Sequence, residues 1–155
     1  MRTLSEIRRV AAQNDWVIDG GSRGFYASDG YRLVPPATVI PNAWGSYMEH
    51  PWSLDVSSQQ SAYSCGVGEL GDFREHVEDV PNSKISSNKK LQLGWTLLLE
   101  YVLRKEKTPY LRAITTDQET FTNINIALPK AGFEKRGQTK SRHGGYPIYI
   151  WEWTK

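Results

Sequence analysis

Hydrophobic positions are densest in the run LQLGWTLLLEYVLRKEK, which begins at Leu91. Leu93, Val102 and the apolar residues between them cover nearly every side of a helix. A helix that is apolar all round packs against neighbours on most sides. The run therefore predicts a buried helix that is capped by Ser87 or Asn88, and the cations near its end suit the helix dipole.

Strand patterns surround a second helix in the rest of the C-terminal half. Alternation predicts strands in PYLRAITT and YPIYIWEW and a short strand in GFEKRG. A helix is predicted from Gln118 to about Leu128, and Pro129 and Gly132 indicate its end, since glycine adopts the left-handed turn that closes helices. This order of elements predicts an α/β fold, with a mixed central sheet flanked by helices.

The N-terminal half begins with a helical pattern. Leu4 and Ile7 recur at helical spacing, and Thr3 with Glu6 has the spacing of a capping box. Residues 3–13 therefore predict an amphipathic helix.

Strands are predicted after this helix. The dipeptide Asp29-Gly30 favours a tight hairpin turn, which predicts strands near 24–28 and 31–34. Residues 53–67 predict one or two further strands.

Composition places the chain among ordinary globular proteins. Its 155 residues suffice for one domain, and 39% of them are hydrophobic and 23% charged. No apolar run reaches the length of a signal peptide or a membrane span, so we expect a cytoplasmic protein without membrane contact. Cys65 is the only cysteine, which excludes an internal disulfide.

The net charge of +2 conceals a difference between the two halves. Residues 1–80 carry 6 basic and 11 acidic side chains, whereas residues 81–155 carry 13 basic and 6 acidic ones. A basic half favours an anionic partner, either a phosphorylated cofactor or a nucleic acid, and is equally typical of a solvated surface.

The basic connector NSKISSNKK leads directly into the buried helix. The first amides of a helix lack partners and attract anions, and Lys84, Lys89 and Lys90 add full charges beside them. Gly94 lies early in this helix, where glycine costs about 1 kcal/mol relative to alanine. Its presence predicts either the close approach of a ligand or tight packing on a sheet.

The layout of a helix, a strand and a second helix ending in Gly-Phe resembles the C-terminal half of GNAT-superfamily N-acetyltransferases, over about residues 77–155. In that family an Arg/Gln-x-x-Gly-x-Gly/Ala loop binds the pyrophosphate of acetyl-CoA, and an Asn in the second helix contacts the pantetheine arm. Lys89 stands here for the Arg/Gln, Gln92 for the first glycine and Gly94 for the second. The resemblance implies acetyl-CoA binding by Lys89, Gln92, Leu93, Gly94, Trp95, Thr96, Asn123 and Asn125.

The same resemblance implies transfer of an acetyl group to an amine. A general base would take the proton of the ammonium, and the candidates are Glu75 and Glu78, in a stretch (73–80) that fits either a strand or a helix. Each of these glutamates is more often simply a surface carboxylate. Leu128 replaces the family's usual Tyr acid, a loss that the good leaving ability of the CoA thiolate makes tolerable.

We expect a single domain with two functional halves. Residues 77–155 would bind the cofactor, and residues 1–76 would supply the substrate side through a long aperiodic loop at 35–52. The class of the amine acceptor stays open, as does the oligomeric state, with a dimer as one option.

Two other functions compete with acetyl transfer. One is a GNAT-like binding protein that has lost catalysis, which the missing tyrosine and glycine favour. The other is nucleic-acid binding by a segment in which cations and aromatic residues interleave. That segment contains Lys135, Arg136, Lys140, Arg142 and His143 with Tyr146, Tyr149, Trp151 and Trp153. A basic hairpin whose aromatic side chains face the core is the favoured interpretation of the same pattern.

Metal and hydrolase chemistry have little support in the sequence. His50, His76, His143 and Cys65 have no metal-ligand spacing, so no metal site is predicted. No serine stands in a nucleophile-elbow pattern.

Overall fold

A computed structural model describes residues 1–23, 28–34, 52–59, 67–75, 88–106 and 109–155. Within these ranges the chain forms three α-helices and seven β-strands. The helices are α1 (Leu4–Gln13), α2 (Asn88–Lys105) and α3 (Thr122–Lys130). The strands are β1 (Val17–Arg23), β2 (Ser28–Val34), β3 (Trp52–Gln59), β4 (Val67–Glu75), β5 (Tyr110–Thr116), β6 (Glu134–Lys140) and β7 (Pro147–Thr154). The predicted α/β class is confirmed.

The seven strands form one mixed sheet in the order β1-β2-β3-β4-β5-β7-β6. Every neighbouring pair is antiparallel except β4 and β5, which run parallel. Parallel strands need a crossover connection, and α2 lies within the connection here. α2 also packs against α1 and α3, so it joins the two halves of the molecule. None of the described helices is long and apolar enough to cross a membrane.

The core lies where α2 meets the sheet. Every residue of α2 from Gly94 to Leu103 is buried, which confirms the buried helix predicted from its apolar run. Trp95 contributes one of the largest buried side chains, and on the sheet Trp52 is fully buried and meets Trp16 edge to face at 4.8 Å. Burial of such aromatic side chains contributes a large share of the hydrophobic stabilisation.

Two helix ends follow the sequence prediction closely. Thr3 Oγ1 accepts the Glu6 amide N–H at 3.2 Å, and the hydrogen bond to Thr3 lowers the pKa of the Glu6 carboxyl. At the end of α3, Gly132 has a φ of +99°, and the Phe133 amide donates to Leu128 O at 3.0 Å. Phe133 is thereby turned into the core, as this type of helix end requires.

The hairpin predicted at Asp29-Gly30 is wrong. Both residues lie within β2, where Asp29 pairs with Arg23 on one side and Val56 on the other. Pairing on both sides outweighs the local turn preference of the dipeptide. The strand β1 was not predicted.

Several other predicted boundaries change or fall outside the described residues. The predicted loop 35–52 lies outside them except for Trp52, which begins β3. Of the ambiguous stretch 73–80, the described part belongs to β4.

Candidate functional site

The two parallel strands at the centre of the sheet separate part of the way along. β4 and β5 pair only where residues 68–70 face residues 111–113, although β4 continues to Glu75 and β5 to Thr116. Among the described residues, the facing edges of both strands have no strand partner beyond this point. One backbone group on this stretch of β5, the Thr116 carbonyl, accepts instead from the Asn125 side chain at 2.8 Å. This opening is termed the cleft.

β4 contains an irregularity where it leaves β5. Gly71 pairs with Asp55 of β3, but Arg74 pairs with Ser53, so two residues of β4 stand opposite one residue of β3. This is the arrangement of a β-bulge. A bulge bends and twists its strand, which accounts for the separation of β4 from β5.

Glu75, the last residue of β4, presents a partly buried carboxylate at the open end of this strand. Trp95 Nε1 donates to its Oε2 at 2.6 Å, and Asn123 Nδ2 donates to its Oε1 at 3.2 Å. Both donors are neutral and buried, with Trp95 1% and Asn123 7% exposed. In the part of the chain that the structure describes, no cation forms an ion pair with this carboxylate.

Gln92 extends the same chain of hydrogen bonds. Its Nε2 donates to Asn123 Oδ1 at 3.3 Å, which joins α2 to α3. Gln92, Trp95, Asn123 and Glu75 are termed the Glu75 cluster. All four were candidate site residues in the sequence, and the structure brings them together from β4, α2 and α3.

The motif predicted to lie in a loop is instead helical. α2 begins at Asn88, so Lys89, Gln92 and Gly94 all lie inside the helix. From Gln92 onward the backbone amides donate to carbonyls one turn earlier, so they are not free to bind an anion. The helix amides that precede the first intrahelical bond include those of Asn88, Lys89 and Lys90.

Gly94 packs tightly against the sheet. A Cβ added to it would lie 2.3 Å from Trp52 Cε2, so only glycine lets α2 approach β3 this closely. Of the two explanations that the sequence left open, the structure shows tight packing. The same helix buries Thr96, whose Oγ1 donates to the Gln92 carbonyl at 2.8 Å, and packs the partly buried Leu93 against the core.

The remaining candidates lie apart from the cluster. Asn125 Oδ1 accepts from Thr115 Oγ1 at 2.5 Å and its Nδ2 donates to Thr116 O at 2.8 Å, so both polar atoms bind β5. Lys89 is exposed on the first turn of α2. Glu78 lies outside the described residues. The assignment of these residues to cofactor binding or catalysis stays a prediction.

Leu128, at the position of the family's acid, is completely buried. Its carbonyl accepts hydrogen bonds from Ala131 and Phe133 at the end of α3. The Leu128 side chain therefore packs in the core, and its carbonyl helps to close α3. An acidic side chain at this position would be buried away from solvent.

The basic segment forms a hairpin of β6 and β7 at the edge of the sheet. Trp151 is buried and donates its Nε1 to Thr115 Oγ1 at 2.9 Å. Lys135 lies over the Tyr149 ring at 4.5 Å, and Arg136 pairs with Glu134 at 2.7 Å. The hairpin therefore exposes the cations of β6 to solvent, while Trp151 lies in the core and Tyr149 and Trp153 pack against it, partly buried.

The metal candidates of the sequence are mostly outside the described residues, since only His143 of the four is included. Among the residues that are described, no group of three histidines, cysteines or carboxylates could hold a metal ion.

No family model matches the sequence, and no curated protein matches it. Among solved structures, a GNAT-family protein from Desulfovibrio desulfuricans is 14% identical with a TM-score of 0.51, over 83% of this chain and 69% of that one.

Two further structures resemble the chain over 83% of its length and 62% of theirs, so it spans less than two thirds of each. One is a ribosomal-protein-S5-alanine acetyltransferase from Vibrio fischeri, 9% identical with a TM-score of 0.54. The other is RimL, a ribosomal L7/L12 α-N-protein acetyltransferase in complex with coenzyme A, 9% identical with a TM-score of 0.52.

Proposed function

We propose, on the premise that this chain has the fold of the GNAT superfamily, that it transfers an acetyl group from acetyl-CoA to an amine. The observation that carries the proposal is the cleft between β4 and β5, with the Glu75 carboxylate at the end of β4. An opening between two strands with a convergent charged side chain is typical of a ligand site.

The residues around the cleft suit acetyl-CoA. Its pyrophosphate is an anion, and the first amides of α2, with the side chain of Lys89 beside them, favour anions. Its pantetheine arm is an extended chain with two amides, which can pair with a strand edge that lines the cleft as an added strand would. These two regions together match a ligand with an anionic end and an amide-bearing arm.

The expected chemistry divides between cofactor and protein. Acetyl-CoA supplies an activated acetyl thioester. Glu75 accepts the proton that the attacking ammonium must lose, directly or through one water molecule. A backbone N–H group of β4 in the cleft would stabilise negative charge on the carbonyl oxygen during attack. Leu128 supplies no acid, and a thiolate needs little help to leave.

A protein α-amine is the first acceptor to test. Two of the similar structures carry names that describe acetylation of ribosomal proteins, one of them at an alanine and the other at an α-amine. A primary amine of this kind is a cation at neutral pH, and Glu75 offers it an anion.

The proposal is tested by calorimetry with acetyl-CoA. We expect micromolar binding and a rise in the unfolding temperature, because a ligand that binds only the folded state stabilises it. Acetyl-pantetheine, which lacks the pyrophosphate, should bind more weakly. Absence of both heat and thermal shift at millimolar acetyl-CoA would remove the enzyme proposal, and a native mass spectrum would show any co-purified CoA.

Nucleic-acid binding is the second candidate, and the exposed cations of the β6–β7 hairpin favour it. Lys135, Lys140 and Arg142 are all exposed on this hairpin. Binding through them would weaken steeply with salt, because each phosphate contact releases counterions. A labelled single-stranded RNA whose affinity changes little between low and high salt would exclude this function.

A further inference from the structure

We propose that Gln92 and Asn123 are positioning residues for Glu75, with Gln92 fixing the orientation of the Asn123 amide. The proposal rests on the proposed function, in which Glu75 accepts a proton. It concerns two side chains that touch no reacting atom and act through a third.

The series of hydrogen bonds from Gln92 through Asn123 ends at the Glu75 carboxylate, and this end determines which atoms donate. An ionised carboxylate can only accept hydrogen bonds, so Asn123 must turn its Nδ2 toward Glu75. Its Oδ1 then faces the opposite way and needs a donor. Gln92 Nε2 is that donor, at 3.3 Å.

Burial makes this orientation matter. Asn123 is 7% exposed, so water has little access to replace a lost partner. Without Gln92, the Asn123 amide could turn over and present its oxygen to the carboxylate of Glu75. Two acceptors would then face each other, and the carboxylate would leave the place that Trp95 and Asn123 define.

The proposal also explains a departure from the family pattern. Gln92 stands where the resembling motif has its first glycine, and that position is inside a helix here. Glycine at 92 would leave Asn123 Oδ1 without its donor. The chain therefore uses this position to support a side chain of the cluster, where the motif uses it to bind a phosphate.

The first measurement follows the hydrogen bonds of the Glu75 cluster by NMR and does not require any enzymatic activity. In the ¹⁵N-labelled protein, the six tryptophans give indole N–H signals, and that of Trp95 reports its bond to Glu75. Trp95→Phe identifies the signal, and Glu75→Gln identifies it independently if the first variant does not fold. Gln92→Met keeps the side-chain volume and removes the donor.

We expect Gln92→Met to move the Trp95 signal toward its position in Glu75→Gln, whereas Gln138→Met, on exposed β6, leaves it in place. If Gln92 served only to fill space, Gln92→Met would leave the Trp95 signal in place, since methionine fills the same space. A Trp95 signal unchanged in Gln92→Met would overturn the proposal, even for a protein that proves to have no acetyltransferase activity.

The second measurement is steady-state kinetics on the same variants. Small misplacement of a reacting group costs up to about a hundredfold, so kcat of Gln92→Met should fall about tenfold or more with the KM for acetyl-CoA unchanged. A direct cofactor contact by Gln92 would instead raise that KM at constant kcat, and that result too would overturn the proposal.

Discussion

The two ends of β4 each carry a partly buried carboxylate, and their surroundings are opposite. At the closed end, Glu69 Oε2 accepts from Arg112 Nη2 at 2.8 Å across the paired strands. The hydrogen bond to Glu69 raises the pKa of the Arg112 guanidinium. At the open end, Glu75 accepts from the neutral N–H groups of Trp95 and Asn123.

Glu69 thus fastens the sheet through an ion pair, whereas Glu75, among the described residues, has only neutral hydrogen-bond donors. An ion pair neutralises itself, so Glu69 has little attraction left for a substrate. Neutral donors fix a carboxylate in place without cancelling its charge. Since both carboxylates are partly buried, their hydrogen-bond partners and not their burial distinguish them.

Replacement of Glu75 gives the largest expected effect. Glu75→Gln keeps the shape of the side chain and removes the base, so we expect kcat/KM to fall by about a hundredfold or more. The assay follows thiol release from acetyl-CoA with an amine acceptor.

Glu69→Gln is the matched control at the closed end. It should leave kcat/KM near that of the wild type and reduce the free energy of unfolding by less than about 1 kcal/mol, because its partner Arg112 is partly exposed. Equal losses of activity in Glu75→Gln and Glu69→Gln would contradict the proposal that only Glu75 acts as the base.

The second effect concerns how closely α2 approaches the sheet near the open end. Gly94→Ala would push a Cβ to 2.3 Å from Trp52 Cε2, and we expect it to lower the free energy of unfolding by about 1–3 kcal/mol. Urea denaturation measures this.

The control for Gly94 lies on the opened part of β4. A Cβ at Gly71 meets nothing within 4 Å, so Gly71→Ala should change the free energy of unfolding by less than about 0.5 kcal/mol. A tolerated Gly94→Ala would mean that the helix can move away from β3 without cost.

The smallest expected effect is a change in folding stability at alkaline pH, and it arises at the closed end. Burial, followed by a hydrogen bond to Glu152, raises the pKa of the Tyr110 hydroxyl above the ordinary value of 10.0. Above that pH the unfolded chain loses this proton first, so folding stability falls as the pH rises.

Tyr110→Phe removes this dependence. The difference in free energy of unfolding between wild type and variant should be constant at neutral pH and shrink above pH 10.0. A difference that grows with pH would show that the ionised hydroxyl is favoured in the folded protein.

Most of the C-terminal half could be predicted from its sequence because the signals there are local. The apolar run of α2, the alternation of β5 and β7 and the glycine after α3 each determine their own element. The resemblance to the GNAT superfamily covered this half, and the predicted fold is confirmed. In the N-terminal half, Asp29 pairs with the nearby Arg23 and also with Val56, which is distant in sequence, and no local pattern records that second pairing.

The site was predicted as a set of residues and not as an arrangement. Glu75, Gln92, Trp95 and Asn123 were all candidates, but their contacts depend on how α2 and α3 pack. A helix start at Ser87 or Asn88 was predicted, and α2 begins at Asn88. The loop expected from the resemblance is absent, because Lys89, Gln92 and Gly94 all lie inside that helix.

The edge strand β6 bears on whether copies of this protein aggregate. Beyond it the structure describes no further strand, and an open sheet edge can recruit another chain and grow into aggregates. Lys135 and Lys140 charge this edge, and the shift in pairing between Lys135 and Gly137 bends it. The same cations that suggest an anionic partner are thus also the kind of edge charge that opposes pairing between copies of a chain.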